Sequence, residues 1–514
     1  MSNSSPPPVQ NPLVRYLNSL RTQSDQSNPS YIEENRLPFL ERLRADARWF
    51  PTPDELHVET RLDALVEAMA AGDPGVDIVI LTGDAGDGKT AVCARLAARL
   101  QCSTDLQPPA QVGRWTVLKD ASELREGELL EHVSRALAER GRGRGLLVAI
   151  NEGRLRRLAR STARGADEHA SARTEVQRLW ASVIEPALQS DLDEAAAAAL
   201  GENMKRERVV VVNFRHRMHV RGVTPGLLRT WTPPRFWEGS PACGVCPRRD
   251  GCTILANVAD LRGADVQQRV ADVLTAAYYA GQRLPFRRLQ AVLALTVTGG
   301  LECGDVHVHA GDWGPLEWQT YRAHNMLFPE GSLRRPLRVR GEPVARVLAA
   351  ADPGAISDDT LDGHIATLVA SVESGAEIAL DGVRLPAPEL RAAVHVRELT
   401  RASAEGFASD PRGALADLTR SLRRFRALHG EPRPTGWRRS LDLLEDMAIR
   451  GNGEDLQRQV VGALNALQRL GATNEHTLSA RQVDPMGFKH PTAIVRPRWS
   501  RAGARRSPSY NSSG

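Results

Sequence analysis

The sequence predicts an α/β protein, with a parallel sheet covered by helices on both faces. Three observations lead there. Short apolar runs recur in the first half of the chain, at 76–81, 146–150 and 209–212, and runs of that kind suit strands buried on both faces. Stretches with helical apolar spacing separate them, which is the alternation of a doubly covered sheet. The first run passes through a glycine-rich octapeptide straight into the apolar-periodic segment 89–100, giving strand, loop and helix in succession.

In chain order, residues 1–30 are polar and proline-rich and are expected to form a disordered leader. Leu37, Leu40 and Leu43, then Leu62, Leu65, Val66 and Met69, fall at helical spacing and are expected to pack beside the first strand. Trp115–Leu118 is a second strand candidate, and 127–140 an amphipathic helix. A long Arg- and Ala-rich helical stretch over 153–200 links the later strands. These elements form an expected core unit over 31–225. Residues 225–260 break the pattern with Pro, Gly, Trp and three Cys, 262–298 return to helix, and 300–330 are rich in Gly, His and aromatics. Residues 226–330 are therefore read as a Cys-rich insertion and helical lid. A separate mixed C-terminal domain, α+β or helical, is expected over 331–495, with helices at 413–429, 438–449 and 454–470. Residues 496–514 carry the dense basic run RPRWSRAGARR and are expected to be a basic disordered tail.

The octapeptide is Gly83-Asp84-Ala85-Gly86-Asp87-Gly88-Lys89-Thr90. It fits G-x-x-x-x-G-K-[ST], the loop that cradles nucleotide phosphates, and makes a P-loop NTPase the expected fold. Its main-chain N–H groups face phosphate oxygens, Lys89 reaches the β/γ-phosphates, and the Thr90 hydroxyl holds Mg²⁺. Asp84 and Asp87 must turn their carboxylates away from the phosphates. The chain has four lysines, Lys89, Lys119, Lys205 and Lys489, against 63 arginines. A lysine kept at this point of the loop is thus no ordinary surface charge.

The run 146–150 ends in Asn151 and Glu152 and resembles a Walker B segment. An ATPase needs a metal-orienting group and a carboxylate that polarises the attacking water at that edge of the sheet. Glu152 suits the second role. Asn151 stands where the AAA+ pattern usually has Asp; an amide can orient a metal-bound water but brings no charge, which bears on hydrolysis more than on binding. The run 209–212 ends in Asn213, which resembles the γ-phosphate sensor of AAA+-like proteins. Arg215 and Arg217 follow it. Residues 285–296 resemble the lid helix of the initiator-type AAA+ group, which would make Arg287 or Arg288 the arginine reaching back to the nucleotide. Arg154, Arg156 and Arg157 are alternative trans-acting fingers in an oligomer, or simply a solvated helix face.

Six cysteines occur: Cys93, Cys102, Cys243, Cys246, Cys252 and Cys303. The first two read as small buried side chains. Cys243, Cys246 and Cys252 form C-x2-C-x5-C in a turn-rich segment, a spacing that brings three thiolates to one centre. Cys303 is the first choice for the fourth ligand, then His307 or His309, then His216 or His219. The centre is structural zinc, or a [4Fe–4S] cluster held by four thiolates.

The chain has 514 residues and a net charge of +5, which permits nucleic-acid contact without requiring it. No apolar run approaches the ~18 residues of a membrane span, and no charged-then-apolar secretory pattern opens the chain. A cytoplasmic protein without disulfides is expected. The runs T-G-D-A-G-D-G-K-T, A-I-N-E-G-R-L, C-x2-C-P-x4-C and L-E-C-G-D-V-H together resemble the ATP-binding component of phosphorothioation-dependent DNA restriction systems (DptF-type proteins) and related defence ATPases. The resemblance spans about 76–330. It implies binding of ATP and Mg²⁺, work beside other defence subunits, and action on or near DNA, directly or through partners; a homo-oligomer is compatible with it. Two readings follow: an ATPase in a restriction or antiphage complex, or a STAND-like nucleotide switch with slow or no turnover.

Overall fold

A computed structural model describes residues 10–23, 39–72, 75–164, 170–189, 194–214, 220–279, 284–309, 320–328, 348, 352–355, 411–429, 478–483 and 489–495. The elements that position the candidate site are, in order, α1 (Pro12–Gln23), α2 (Arg61–Ala70), β1 (Ile78–Gly83), α3 (Lys89–Arg99), β2 (Ala110–Val112), β3 (Trp115–Leu118), α4 (Glu126–Ala138), β4 (Gly145–Asn151), α5 (Glu152–Arg164), α6 (Ala170–Leu179), α7 (Glu194–Glu207) and β5 (Val209–Asn213). A helical block follows: α8 (Val220–Trp231), α9 (Thr253–Leu261), α10 (Ala264–Tyr279), α11 (Phe286–Thr298) and α12 (Cys303–Val308). Among the described residues no helix is long and apolar enough to cross a membrane.

The five strands form one sheet in the order β2-β3-β4-β1-β5. β1 pairs parallel with β4 and β5, and β3 pairs parallel with β4. The expected all-parallel sheet is corrected at one edge, where β2 runs antiparallel to β3. Two residues, Gly113 and Arg114, close that hairpin, and Gly113 has φ +56°. A three-residue strand carries too little pattern to be legible in sequence.

Side chains alternate across a strand, so a strand buried on both faces feeds two cores. Ile78 and Ile80 of β1 join Leu146, Val148 and Ile150 of β4 on one face, with Leu129, Val133 and Leu137 of α4 and Leu155 and Leu158 of α5. Val79, Leu81, Leu147 and Ala149 face the other side, against Val66 and Met69 of α2 and Val92 and Leu96 of α3. Burying each Ile, Leu or Val contributes about 1.5–3 kcal/mol. Helix α2 starts where Thr60 accepts the Leu62 N–H and Asp63 accepts the Thr60 N–H, a reciprocal cap.

Three expectations need correction. Residues 12–23 are no disordered leader: α1 buries Leu13, Tyr16, Leu17 and Leu20 in the core of the helical block. Asn18 ties it to the end of α11, donating to Leu301 O at 2.9 Å and accepting from Thr298 Oγ1 at 2.9 Å. Apolar spacing in a proline-flanked segment was the overlooked signal. Leu40 and Leu43 pack in that same core and not beside β1. The segment from 225 is not purely irregular either, since α8 runs through Pro225 to Trp231. Pro225 lies in the second turn of α8, where the break it makes is confined to the helix start.

Helix 411–429 matches its expected position. Its Arg424 donates to Asp352 at 2.7 and 2.9 Å and to Asn325 Oδ1 at 3.1 Å. The helices expected at 438–449 and 454–470, and the tail from 496, lie outside the described residues. Residues 478–483 and 489–495 form an antiparallel pair.

At the base of β1, Asp77 is 1% exposed. It accepts hydrogen bonds from Arg208 and from the Gly141 N–H, the latter at 2.7 Å, and lies near Arg114. Burial alone raises the carboxyl's pKa; the Arg208 bond, the Gly141 amide and the charges of Arg208 and Arg114 outweigh it and hold it below the ordinary carboxylate range. A depressed carboxyl contributes stability that is present above its unfolded pKa of about 3.9 and is lost as pH falls through the lower folded value. Asp77→Asn is expected to cost about 2–3 kcal/mol near neutral pH, discounted because Arg208 is partly exposed. Urea melts at pH 7 and below pH 4 check it; equal losses at both would show that the charge is not the source.

Candidate functional site

The carboxyl ends of three parallel strands, β1, β4 and β5, bring the sequence-selected residues to one edge. β1 ends at Gly83 and continues through Asp84–Gly88 into α3. Gly83 has φ +149°, and a Cβ there would stand 2.6 Å from Asp87 Oδ2 and 2.9 Å from Phe214 Cβ. Gly86 has φ +87°. Gly88 starts α3 with no side-chain cap, and the N-terminus of a helix favours an anion.

Lys89 is 9% exposed, and its Nζ donates to Gly83 O at 3.2 Å and Asp84 O at 2.6 Å. The ammonium thus lies across the mouth of its own loop. Asp87 turns back on the loop's first residues, where its Oδ2 accepts the Asp84 N–H at 2.6 Å. Ala85 is exposed, while Asp84 and Thr90 are half-buried. Behind the loop, the Thr82 hydroxyl is buried with no hydrogen-bond partner.

β4 lies directly beside β1, with Asn151 in register with Gly83. Glu152 opens α5, where a carboxylate suits the helix N-terminus. It is 7% exposed, and its Oε1 accepts from Arg156 Nε at 2.8 Å. On the other side of β1, Asn213 is in register with Thr82. Its Nδ2 donates to Ala187 O at 3.4 Å.

Arg287 also comes to the loop. Its main-chain N–H donates to Gly86 O at 3.0 Å, and its Cβ would lie 3.2 Å from a Cβ built on Gly86. The first turn of α11 therefore clasps the loop tip. Arg288 is half-buried one residue on. Of the alternative fingers, Arg154 bonds Leu124 O, Arg156 is paired with Glu152, and Arg157 is exposed. Arg215, Arg217, His216 and His219 lie outside the described residues.

Sequence reasoning passed over Lys119 and Asp120. They follow β3, and the Ala121 N–H bonds Ala149 O at 2.9 Å, which keeps them at the same edge, one strand beyond β4. Lys119 is 7% exposed. The signal was present: Lys119 is one of only four lysines, and an apolar run ending in a carboxylate recurs at 115–120.

The cysteines gather away from this edge. Cys243, Cys252 and Cys303 pack against the core of the helical block. Asn11 Nδ2 donates to Cys243 Sγ at 3.3 Å, and Cys246 Sγ lies 3.4 Å from His307 Nε2. Burial pushes the Cys252 thiol up to about 11 and the Cys303 thiol up to about 12. His309 is a half-buried residue at the end of α12. Among the described residues no group of three or more His, Cys, Asp or Glu is placed to hold a single metal ion.

Fold and edge together define a mixed α/β protein with a mostly parallel five-stranded sheet and a glycine-rich loop leading from strand to helix. No family model matches the chain, and no curated protein or solved structure matches it either.

Proposed function

We propose that this chain is a P-loop protein that binds ATP with Mg²⁺ at residues 83–90. The observation that carries the reading is the motif's position: its loop joins the carboxyl end of a central strand to a helix N-terminus, with Lys89 across the mouth. Lys89 would exchange its two carbonyl partners for phosphate oxygens, Thr90 would hold Mg²⁺, and the N-terminus of α3 would face the phosphates. Glu152 would polarise the attacking water, Asn151 would help orient the metal's surroundings without adding charge, and Asn213 and Arg287 would contact the γ-phosphate. Magnesium supplies Lewis-acid neutralisation of phosphate charge. A role in a DNA restriction or antiphage complex, with partner subunits and DNA, rests on the motif resemblance alone.

One observation favours the second reading, a nucleotide switch with little turnover. Glu152 is already paired with Arg156, and Asn151 brings no charge. Steady-state ATP turnover with and without DNA separates the readings. Arg156→Ala is expected to raise turnover several-fold if the pair restrains Glu152, since so exposed an arginine adds little stability, about 0.3–0.5 kcal/mol. Unchanged turnover in the folded variant would count against any restraint.

A further inference from the structure

Four cysteines remain outside the nucleotide site. Three come from one turn-rich segment, and the fourth opens α12, 51 residues after Cys252 in the chain. The segment wraps tightly. Ser240 caps the short helix Pro241–Gly244 by accepting the Cys243 N–H at 3.1 Å, and a 3-10 turn at Arg249–Gly251 leads to Cys252 at the start of α9.

Cys243, Cys252 and Cys303 pack against the same core as α1, and Cys243 meets Asn11 beside its start. Asn11 donates to Cys243 Sγ from its side chain at 3.3 Å, and its main-chain amide works against the upward push of burial on the Cys303 thiol, so one residue lies beside both. N–H···S bonds of this kind are what a thiolate-held cluster receives from its protein. His307 adds a further ring nitrogen beside Cys246.

A lone ion and a cluster make different demands on the thiols. One zinc holds its sulfurs at ~2.3 Å, which sets tetrahedral sulfurs ~3.8 Å apart. No three of these side chains are placed to share one ion. A [4Fe–4S] cluster takes each thiolate on a different iron, so its four sulfurs stand further apart around a larger core. Arg248 and Arg249 are exposed on the wrapping turn, where they offset the net negative charge of a four-thiolate cluster.

We propose that Cys243, Cys246, Cys252 and Cys303 hold a structural [4Fe–4S] cluster, one thiolate on each iron, which fastens the start of α1 to α9 and α12. Each thiol releases its proton as an Fe–S bond forms; the iron and sulfide arrive as the cluster itself. His307 donates to the Cys246 sulfur and is not a ligand.

The full chain purified without oxygen tests this. About four iron and four acid-labile sulfide per chain, with a broad brown visible absorbance, is the expected result. Cys303→Ser should reduce iron to background, while His307→Ala should keep it. Should Cys303→Ser fail to fold, the parent's iron, sulfide and zinc content still decides. One zinc per chain without iron overturns the cluster, as do thiols that all react freely in the folded, metal-free parent. Iron kept by Cys303→Ser but lost in His307→Ala overturns the ligand set. Hydrogen exchange over 11–20 should quicken at least tenfold when the cluster is removed; unchanged exchange overturns the fastening role.

Discussion

Lys89→Ala should lower ATP affinity by about 10- to 150-fold. The substitution removes the side-chain cation of the loop. A hydrogen bond to a charged group contributes about 1.5–3 kcal/mol, and each 1.4 kcal/mol is tenfold in affinity. Some of the effect comes from the unbound protein, because Lys89 already bonds Gly83 O and Asp84 O. Those carbonyls lose their partner in the variant. Lys89→Met, which keeps the alkyl stem, and a thermal melt separate a lost phosphate contact from a loosened loop. Isothermal titration with a non-hydrolysed ATP analogue measures it, and parent-like affinity in a folded variant would remove residues 83–90 from nucleotide binding.

Glu152→Gln should leave ATP affinity within about twofold and reduce turnover by about 10²–10⁴, the range of a general base. The amide keeps the shape but cannot polarise water as a carboxylate does. The amide keeps the volume of the buried side chain and can still accept from Arg156, and a thermal melt checks the fold. Single-turnover hydrolysis at saturating ATP is the measurement. Equal rates in variant and parent would take Glu152 out of the reaction and turn attention to Asp120 at the same edge.

Much of the sheet was legible because its strands are short apolar runs, those of β1 and β4 buried on both faces. Trp115–Leu118 matches residue for residue, and the runs at 146–150 and 209–212 each gain only their terminal residues. The first run, expected at 76–81, lies two residues later, at Ile78–Gly83, because Thr82 and Gly83 continue the strand into the loop. The loop was legible because its glycines and lysine have fixed spacing. What escaped has physical reasons. β2 is three residues long, and α1 hides its apolar face behind prolines and polar residues. Lys119 and Asp120 belong to a strand whose neighbours only the pairing order reveals. The Glu152–Arg156 pair was present as an i, i+4 spacing, but in a chain with 63 arginines that spacing carries little information.

The hydrogen bond from the Arg287 amide to Gly86 O joins two thermodynamic balances. Any phosphate that reshapes the loop tip must break this bond or carry α11 with it. α11 also packs against α1 and, through Thr298 and Asn18, holds that helix in place. Linkage then runs both ways. Whatever factor nucleotide binding contributes to the order of the helical block, an agent that orders the block returns to nucleotide affinity. One main-chain bond would thereby make the stability of α1 a reporter of any ligand held at residues 83–90.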